Sequence, residues 1–216
     1  MRRWRRLNRE KTNLPEVEIN EQMSTLSQRV DWGLKQLNVP ATWKVTKGKG
    51  ITVMVIDTGH PVHPDIGDNA IPGKNFINGE PIEDENGHQL HCTGIICAKD
   101  NNTGMVGVAP EAKCISVKAL AKSGGGSYLG LANALDYAIE IKPDFADAHY
   151  NLANLLYDEK RFDEALENYE KVIQINKDFP QSYLLIGLIN SVKGNFEQAK
   201  NYFLKAIDKD KFLTEA

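Results

Sequence analysis

Ile51-Thr52-Val53-Met54-Val55-Ile56 runs directly into Asp57-Thr58-Gly59, and this junction decides how the first half of the chain is read. Six nearly continuous apolar and β-branched residues are the pattern of a strand buried on both faces of a parallel sheet, and Asp57 marks its end. Just upstream, Lys47-Gly48-Lys49-Gly50 predicts a turn into the strand. Before that turn, Leu26, Val30, Trp32, Leu34 and Leu37 predict a short helix ending ahead of Asn38-Val39-Pro40. Downstream, loops rich in Gly, Pro, Asn and Asp take up most of 59–87, with a short strand at Lys74-Asn75-Phe76-Ile77. A helix is expected from about His88 to Ala98, and a second buried strand over Cys114–Leu120. Gly124-Gly125-Gly126 then reads as a loop and Leu129–Ile141 as an amphipathic helix, so the class to this point is α/β.

From Ala146 the pattern changes, because the chain repeats with a period of 34 residues. Leu152 pairs with Ile186, Ala153 with Gly187, Phe162 with Phe196, Ala165 with Ala199, Tyr169 with Phe203 and Val172 with Ala206. Small and aromatic residues recur where paired helices must approach closely, and these positions resemble the tetratricopeptide repeat. The likeness departs at His149, where a large aromatic is usual, and at Lys177 and Lys211, which replace proline. Asn195 followed by Gln198 predicts a capping box for the last helix. The resemblance implies protein or peptide binding in the groove of each unit's first helix, with Tyr150, Asn154, Tyr157, Gln181, Leu184 and Leu188 as candidate lining. Ordinary packing or a solvated helix surface is the competing account of each, and no Lys or Arg among them points to a carboxylate clamp.

Composition excludes little: 216 residues, 41% hydrophobic, 25% charged and a net charge of -3 give no broad basic surface for nucleic acid or an anionic membrane. Four arginines lie within Met1–Arg6, and residues 1–22 read as a loose, basic, solvated arm, with an acidic or membrane-surface contact as the alternative. No apolar stretch of signal-peptide length follows the arginines, and no apolar run is long enough for a membrane span. Cys92, Cys97 and Cys114 are odd in number, sit in apolar runs and lack metal-ligand spacing, which suits reduced core residues of a cytoplasmic protein.

Asp57-Thr58-Gly59 alone is ambiguous, since aspartic proteases use the same tripeptide. Its neighbours narrow the choice: His63-Pro64-Asp65 follows, then Gly87-His88-Gln89-Leu90-His91 at a helix start, then Gly104-Met105-Val106-Gly107-Val108-Ala109-Pro110. In that order and spacing they resemble the amino-terminal half of a subtilisin-like serine protease of the intracellular type, over about residues 23–140. The resemblance implies that Asp57 orients His88, that His88 is the general base toward a serine hydroxyl, and that Gly94 lets the helix pack closely. The family's His-Gly-Thr-His is here His88-Gln89-Leu90-His91. The competing account makes His88 only the first residue of a helix. By the same resemblance Gly125, Gly126 and Ser127 offer a backbone edge to an extended substrate, against a plain loop as the alternative. Gln28, Asp65 and Asn101 map to a structural Ca²⁺ site, whose oxygen-only ligands suit a hard cation.

The family's second half carries the oxyanion-hole asparagine and a serine in a Gly-Thr-Ser-Met-Ala phrase, which these 216 residues do not contain. Three readings follow. The first is a non-catalytic fusion of a truncated subtilisin-like domain (23–140) with two tetratricopeptide repeats (141–216). The second is a serine endopeptidase completed by another chain, and the third a chimera without joint function. Truncation is expected to leave residues 53–56 with an unpaired edge and an uncovered apolar face, open to self-association, and the α/β part loosely packed beside helices that melt as a unit. Ala138 and Pro143 fall where a preceding repeat would place them, so the helix ending at Ile141 is expected to continue the helical stack.

Overall fold

The computed structural model describes residues 28–210. The predicted loose arm, residues 1–22, and Lys211 lie outside them. Three strands form one parallel sheet: β1 (Thr52–Asp57), β2 (Ala70–Asn75) and β3 (Lys113–Lys118), in the order β1-β3-β2. Helices α1 (Trp32–Gln36) and α2 (Val39–Thr42) precede the sheet, and α3 (His88–Cys97) crosses from β2 to β3. Then come α4 (Tyr128–Ile141), α5 (Ala146–Asp158), α6 (Phe162–Ile175), α7 (Pro180–Val192) and α8 (Phe196–Lys209). The architecture is a small parallel α/β sheet of subtilisin-like type followed by helical hairpins.

β1 is an edge strand among the described residues, as expected, but its faces are not bare. Alternation sends Val53 and Val55 toward the cluster of Cys97, Ala112 and Cys114 under α3. Met54 and Ile56 point the other way, toward Val117, Ala119 and Ala134 under α4. The expectation of an uncovered apolar face is therefore corrected: α3 and α4 cover the strand on both sides, although its apolar residues stay only partly buried.

The second strand lies earlier than expected, at Ala70–Asn75 and not at 74–77. Pro72 and Gly73 look like turn residues in the sequence. On an outer strand, however, Pro72 costs no ladder bond if its nitrogen faces away from the neighbour. At Gly73 a Cβ would come within 2.7 Å of the Ser116 carbonyl oxygen, so only glycine lets the two backbones approach. The register is irregular between Pro72 and Asn75.

The 34-residue register holds in the packing. Leu152 and Ile186, Ala153 and Gly187, Ala165 and Ala199, and Val172 and Ala206 are all buried. Phe162 and Phe196 differ, with Phe196 69% exposed. Phe162 is covered edge-on by Tyr157 at 5.5 Å, whereas the residue one period after Tyr157 is Ser191. His149 is buried, with Nδ1 3.0 Å from Asn168 Oδ1 and Nε2 3.1 Å from the Pro143 carbonyl oxygen, so a polar bridge replaces the aromatic packing. The capping box does not form: Asn195 is the N-cap of α8, but its side chain turns back to Asn190.

The seam is a shared core. Leu135 of α4 joins Leu152, Ala153, Leu156, Ala165, Tyr169, Ile186 and Ile189 in one buried cluster, against which Ile56 of β1 also packs. One turn face of α4 thus meets the sheet through Ala134 while the next residue enters the helical core.

Candidate active site

Asp57 ends β1 and His88 begins α3, and the fold brings their side chains together: His88 Nδ1 is 2.6 Å from Asp57 Oδ2. Asp57 is 6% exposed, and its other carboxylate oxygen accepts the Thr58 N–H at 2.7 Å. The His88 side chain is 61% exposed. A buried carboxylate fixing one ring nitrogen while the ring faces solvent is the arrangement that holds a general base in a single tautomer.

α3 is held in place by residues outside the predicted set. Asp84 accepts N–H bonds from Asn86, Gly87 and Leu90 and a hydroxyl bond from Thr58, satisfying donors at the start of the helix. Burial pushes the Asp84 carboxyl up, but these four donors outweigh it and hold the group below its ordinary range. Gly87, at φ 91°, makes the left-handed entry into the helix. Gln89, the departure from the family's glycine, is fully buried; its amide oxygen accepts the Gly59 N–H at 2.9 Å and its amide nitrogen reaches the Val55 carbonyl at 3.4 Å. The substitution therefore ties α3 to the end of β1 and keeps the Asp57–His88 geometry.

Two further side chains shape the site. Lys118, at the end of β3, is fully buried and donates to the Thr58 carbonyl at 2.6 Å and the Glu83 carbonyl at 3.3 Å, with Glu80 Oε2 at 3.2 Å. Cys92 was expected in the core with Cys97 and Cys114. The latter two are buried, but Cys92 is half-buried beside the histidine, its Sγ 3.8 Å from His88 Nδ1 and 3.9 Å from Nε2. Burial raises the Cys92 thiol above its ordinary range, and the Asp57 carboxylate adds to the effect. The four-residue spacing from His88 is the signal that places Cys92 on the same helix face.

The remaining candidates are distributed as follows. Gly125, Gly126 and Ser127 are exposed, but the Gly125 carbonyl accepts the Ala121 N–H at 2.7 Å and the Ser127 hydroxyl caps α4 by accepting the Gly130 N–H at 3.0 Å. Gln28, Asp65 and Asn101 converge on the loop 99–105. Gln28 bonds the Lys99 carbonyl, Asp65 accepts the Met105 N–H at 2.8 Å, and the Asn101 amide nitrogen stands 3.5 Å from Asp65. Gly94 was expected at a close helix contact, yet a Cβ there would meet nothing within 4 Å. That face of α3 borders an open apolar groove with Trp32, Leu37 and Ile95.

Of the proposed peptide-binding residues, Tyr150, Asn154 and Tyr157 are partly buried within the hairpins. Tyr150 packs on Phe179 at 4.9 Å, and Asn154 accepts the Tyr169 hydroxyl at 2.7 Å. Gln181, Leu184 and Leu188 are exposed on α7, and the first two border a groove of about 280 Å³ with Phe203, Ala206 and Ile207.

Comparison with known proteins finds both kinds of sequence in the same order. The subtilase family model matches residues 48–178 and a tetratricopeptide-repeat model matches 180–210. The chain is 42% identical over 118 residues to an intracellular serine protease of Paenibacillus polymyxa, covering 52% of this chain and 36% of that protein. With the major intracellular serine protease of Bacillus subtilis it shares 41% identity over 133 residues, covering 58% and 41%. With an alkaline protease of Alkalihalobacillus alcalophilus the identity is 40% over 124 residues, covering 56% and 32%. A crystal structure of MamA aligns over 41% of this chain and 52% of that one at 34% identity, with a TM-score of 0.39, too loose to bear on the fold. The chain thus spans well under half the length of these curated proteases. Since the subtilase match takes in more than half of the chain, including both ends of the Asp57–His88 contact, this chain belongs to the subtilase family and carries a tetratricopeptide repeat after the matched region.

Proposed function

We propose that this chain is a non-catalytic cytoplasmic binding protein, in which a subtilase half carries an orienting aspartate and a base without a nucleophile and the helical hairpins hold a protein or peptide partner. The observation that carries this reading is the surrounding of His88. Among the described residues its side-chain partners are Asp57 and Cys92, and no serine hydroxyl. Removing the nucleophile from such a triad lowers kcat by roughly 10⁶, a magnitude established on a subtilisin and not deduced from this chain. The exposed α7 residues Gln181, Leu184 and Leu188 supply the binding surface.

A fluorophosphonate probe tests the reading. The purified chain is expected to stay unlabelled and to leave casein intact. Covalent labelling that disappears in His88→Ala would overturn it. The 2.6 Å Asp57–His88 contact favours one second reading, an endopeptidase completed by another chain. Under that reading labelling is absent from the purified chain and present on a serine of a co-purifying partner.

A structural calcium ion belongs to the same proposal. Gln28, Asp65 and Asn101 each carry a side-chain oxygen, the ligand type of a hard cation, and the Asn101 amide nitrogen that faces Asp65 turns away as the ion enters. Calcium is expected to raise the melting temperature of the chain, and Asp65→Ala to abolish the rise. An unchanged melting temperature at saturating calcium would count against the site.

A further inference from the structure

His88 and Cys92 lie four residues apart on α3, so their side chains leave the same helix face, and Asp57 closes on them from the end of β1. One ligand atom from each of the three lies within 4.8 Å of the others. His88 is exposed and Cys92 half-buried, so solvent reaches the cluster. We propose that Asp57, His88 and Cys92 form a binding site for a thiophilic divalent cation of the zinc class, with three protein ligands and a fourth position open to water. The site rests on the positions of these three groups and stands apart from the non-catalytic reading.

The distances suit such an ion. Tetrahedral zinc with bonds of about 2.0 Å to nitrogen or oxygen and about 2.3 Å to sulfur sets its ligand atoms about 3.3–3.6 Å apart. Cys92 Sγ already stands 3.8 Å from His88 Nδ1. Asp57 and His88, at 2.6 Å, need to separate by less than the width of an atom as the ion enters between them. Charge also balances, because one carboxylate and one thiolate neutralise a dication. On binding, the Cys92 S–H bond breaks and its proton goes to solvent, and the imidazole proton moves from Nδ1 to Nε2. His88 then presents an N–H in place of a lone pair, so the ion switches off the base. Calcium does not compete, since sulfur and imidazole ligands select against hard cations. The candidate calcium residues Gln28, Asp65 and Asn101 are a separate set.

The test uses the full chain, reduced and then freed of reductant, with calcium present. Cobalt is titrated as a spectroscopic stand-in and displaced by zinc. The expected result is one ion per chain, with a thiolate-to-cobalt absorption band and release of about one proton per ion in mildly alkaline buffer. Cys92→Ser is expected to lose the band, and both Cys92→Ser and His88→Ala to weaken zinc binding by roughly tenfold or more. In the unaltered chain zinc should slow alkylation of Cys92, read by peptide mass mapping, so the test does not depend on a variant folding. Unchanged zinc affinity in Cys92→Ser would overturn the proposal. So would zinc leaving Cys92 alkylation unaltered, including the case where it shields Cys97 or Cys114 instead.

Discussion

Replacing Tyr169 with alanine is expected to lower stability by about 4 kcal/mol and to loosen the parallel sheet as well as the helices. Tyr169 is fully buried in α6, its ring lies 5.9 Å from that of Tyr150, and its hydroxyl donates to Asn154 at 2.7 Å. Removing it leaves a cavity in the cluster that also holds Leu135 of α4 and touches Ile56 of β1. Because that cluster crosses the seam, the loss should reach β1. Chemical denaturation gives the free energy, and hydrogen exchange at amides 53–56 gives the reach. If those amides open by global unfolding, a loss of this size speeds their exchange by about a thousandfold. Tyr169→Phe keeps the ring and removes only the hydroxyl, so about 1 kcal/mol is expected. A Tyr169→Ala chain whose β1 amides exchange at the original rate would show that the helical hairpins unfold apart from the sheet.

What could be read in the sequence was what periodicity and local chemistry determine. β1 was legible because a nearly continuous apolar and β-branched run precedes a polar end, and the hairpins because buried small residues recur 34 apart. The Asp57–His88 contact was legible only through the family's order of motifs, since 31 residues separate the pair in the chain. β2 was hidden by Pro72 and Gly73, whose usual turn preference is overridden by an edge position beside β3. Cys92 was hidden because an apolar run reads as core, although its spacing from His88 put it on the same face of α3 as the histidine. Gln89 looked like a blemish in a motif and proved to be a buried amide bridge, which only the tertiary neighbours Gly59 and Val55 reveal.

Lys118 is the clearest case of a residue whose role no sequence pattern announces, and Lys118→Met is expected to cost about 3 kcal/mol. The side chain follows Cys114-Ile115-Ser116-Val117 at the end of β3 and is fully buried, where an unpaired ammonium would be untenable. It is accommodated by the Thr58 and Glu83 carbonyls and by Glu80. The Lys122 N–H and, to a lesser degree, the Lys118 ammonium hold the Glu80 carboxyl below its ordinary range. Methionine matches the stem but leaves both carbonyls without their donor, which is where the cost arises. Lys118→Arg should not rescue, because a planar guanidinium does not fit a pocket shaped around an ammonium. Thr58 follows Asp57 directly, so freeing its carbonyl should also disturb the carboxylate that orients His88. Denaturant melts measure the first effect, and the low-field imidazole proton of the Asp57–His88 bond reports the second. A Lys118→Met chain within about 0.5 kcal/mol of the original, with that proton signal unmoved, would mean that the buried amine supports neither the fold nor the site.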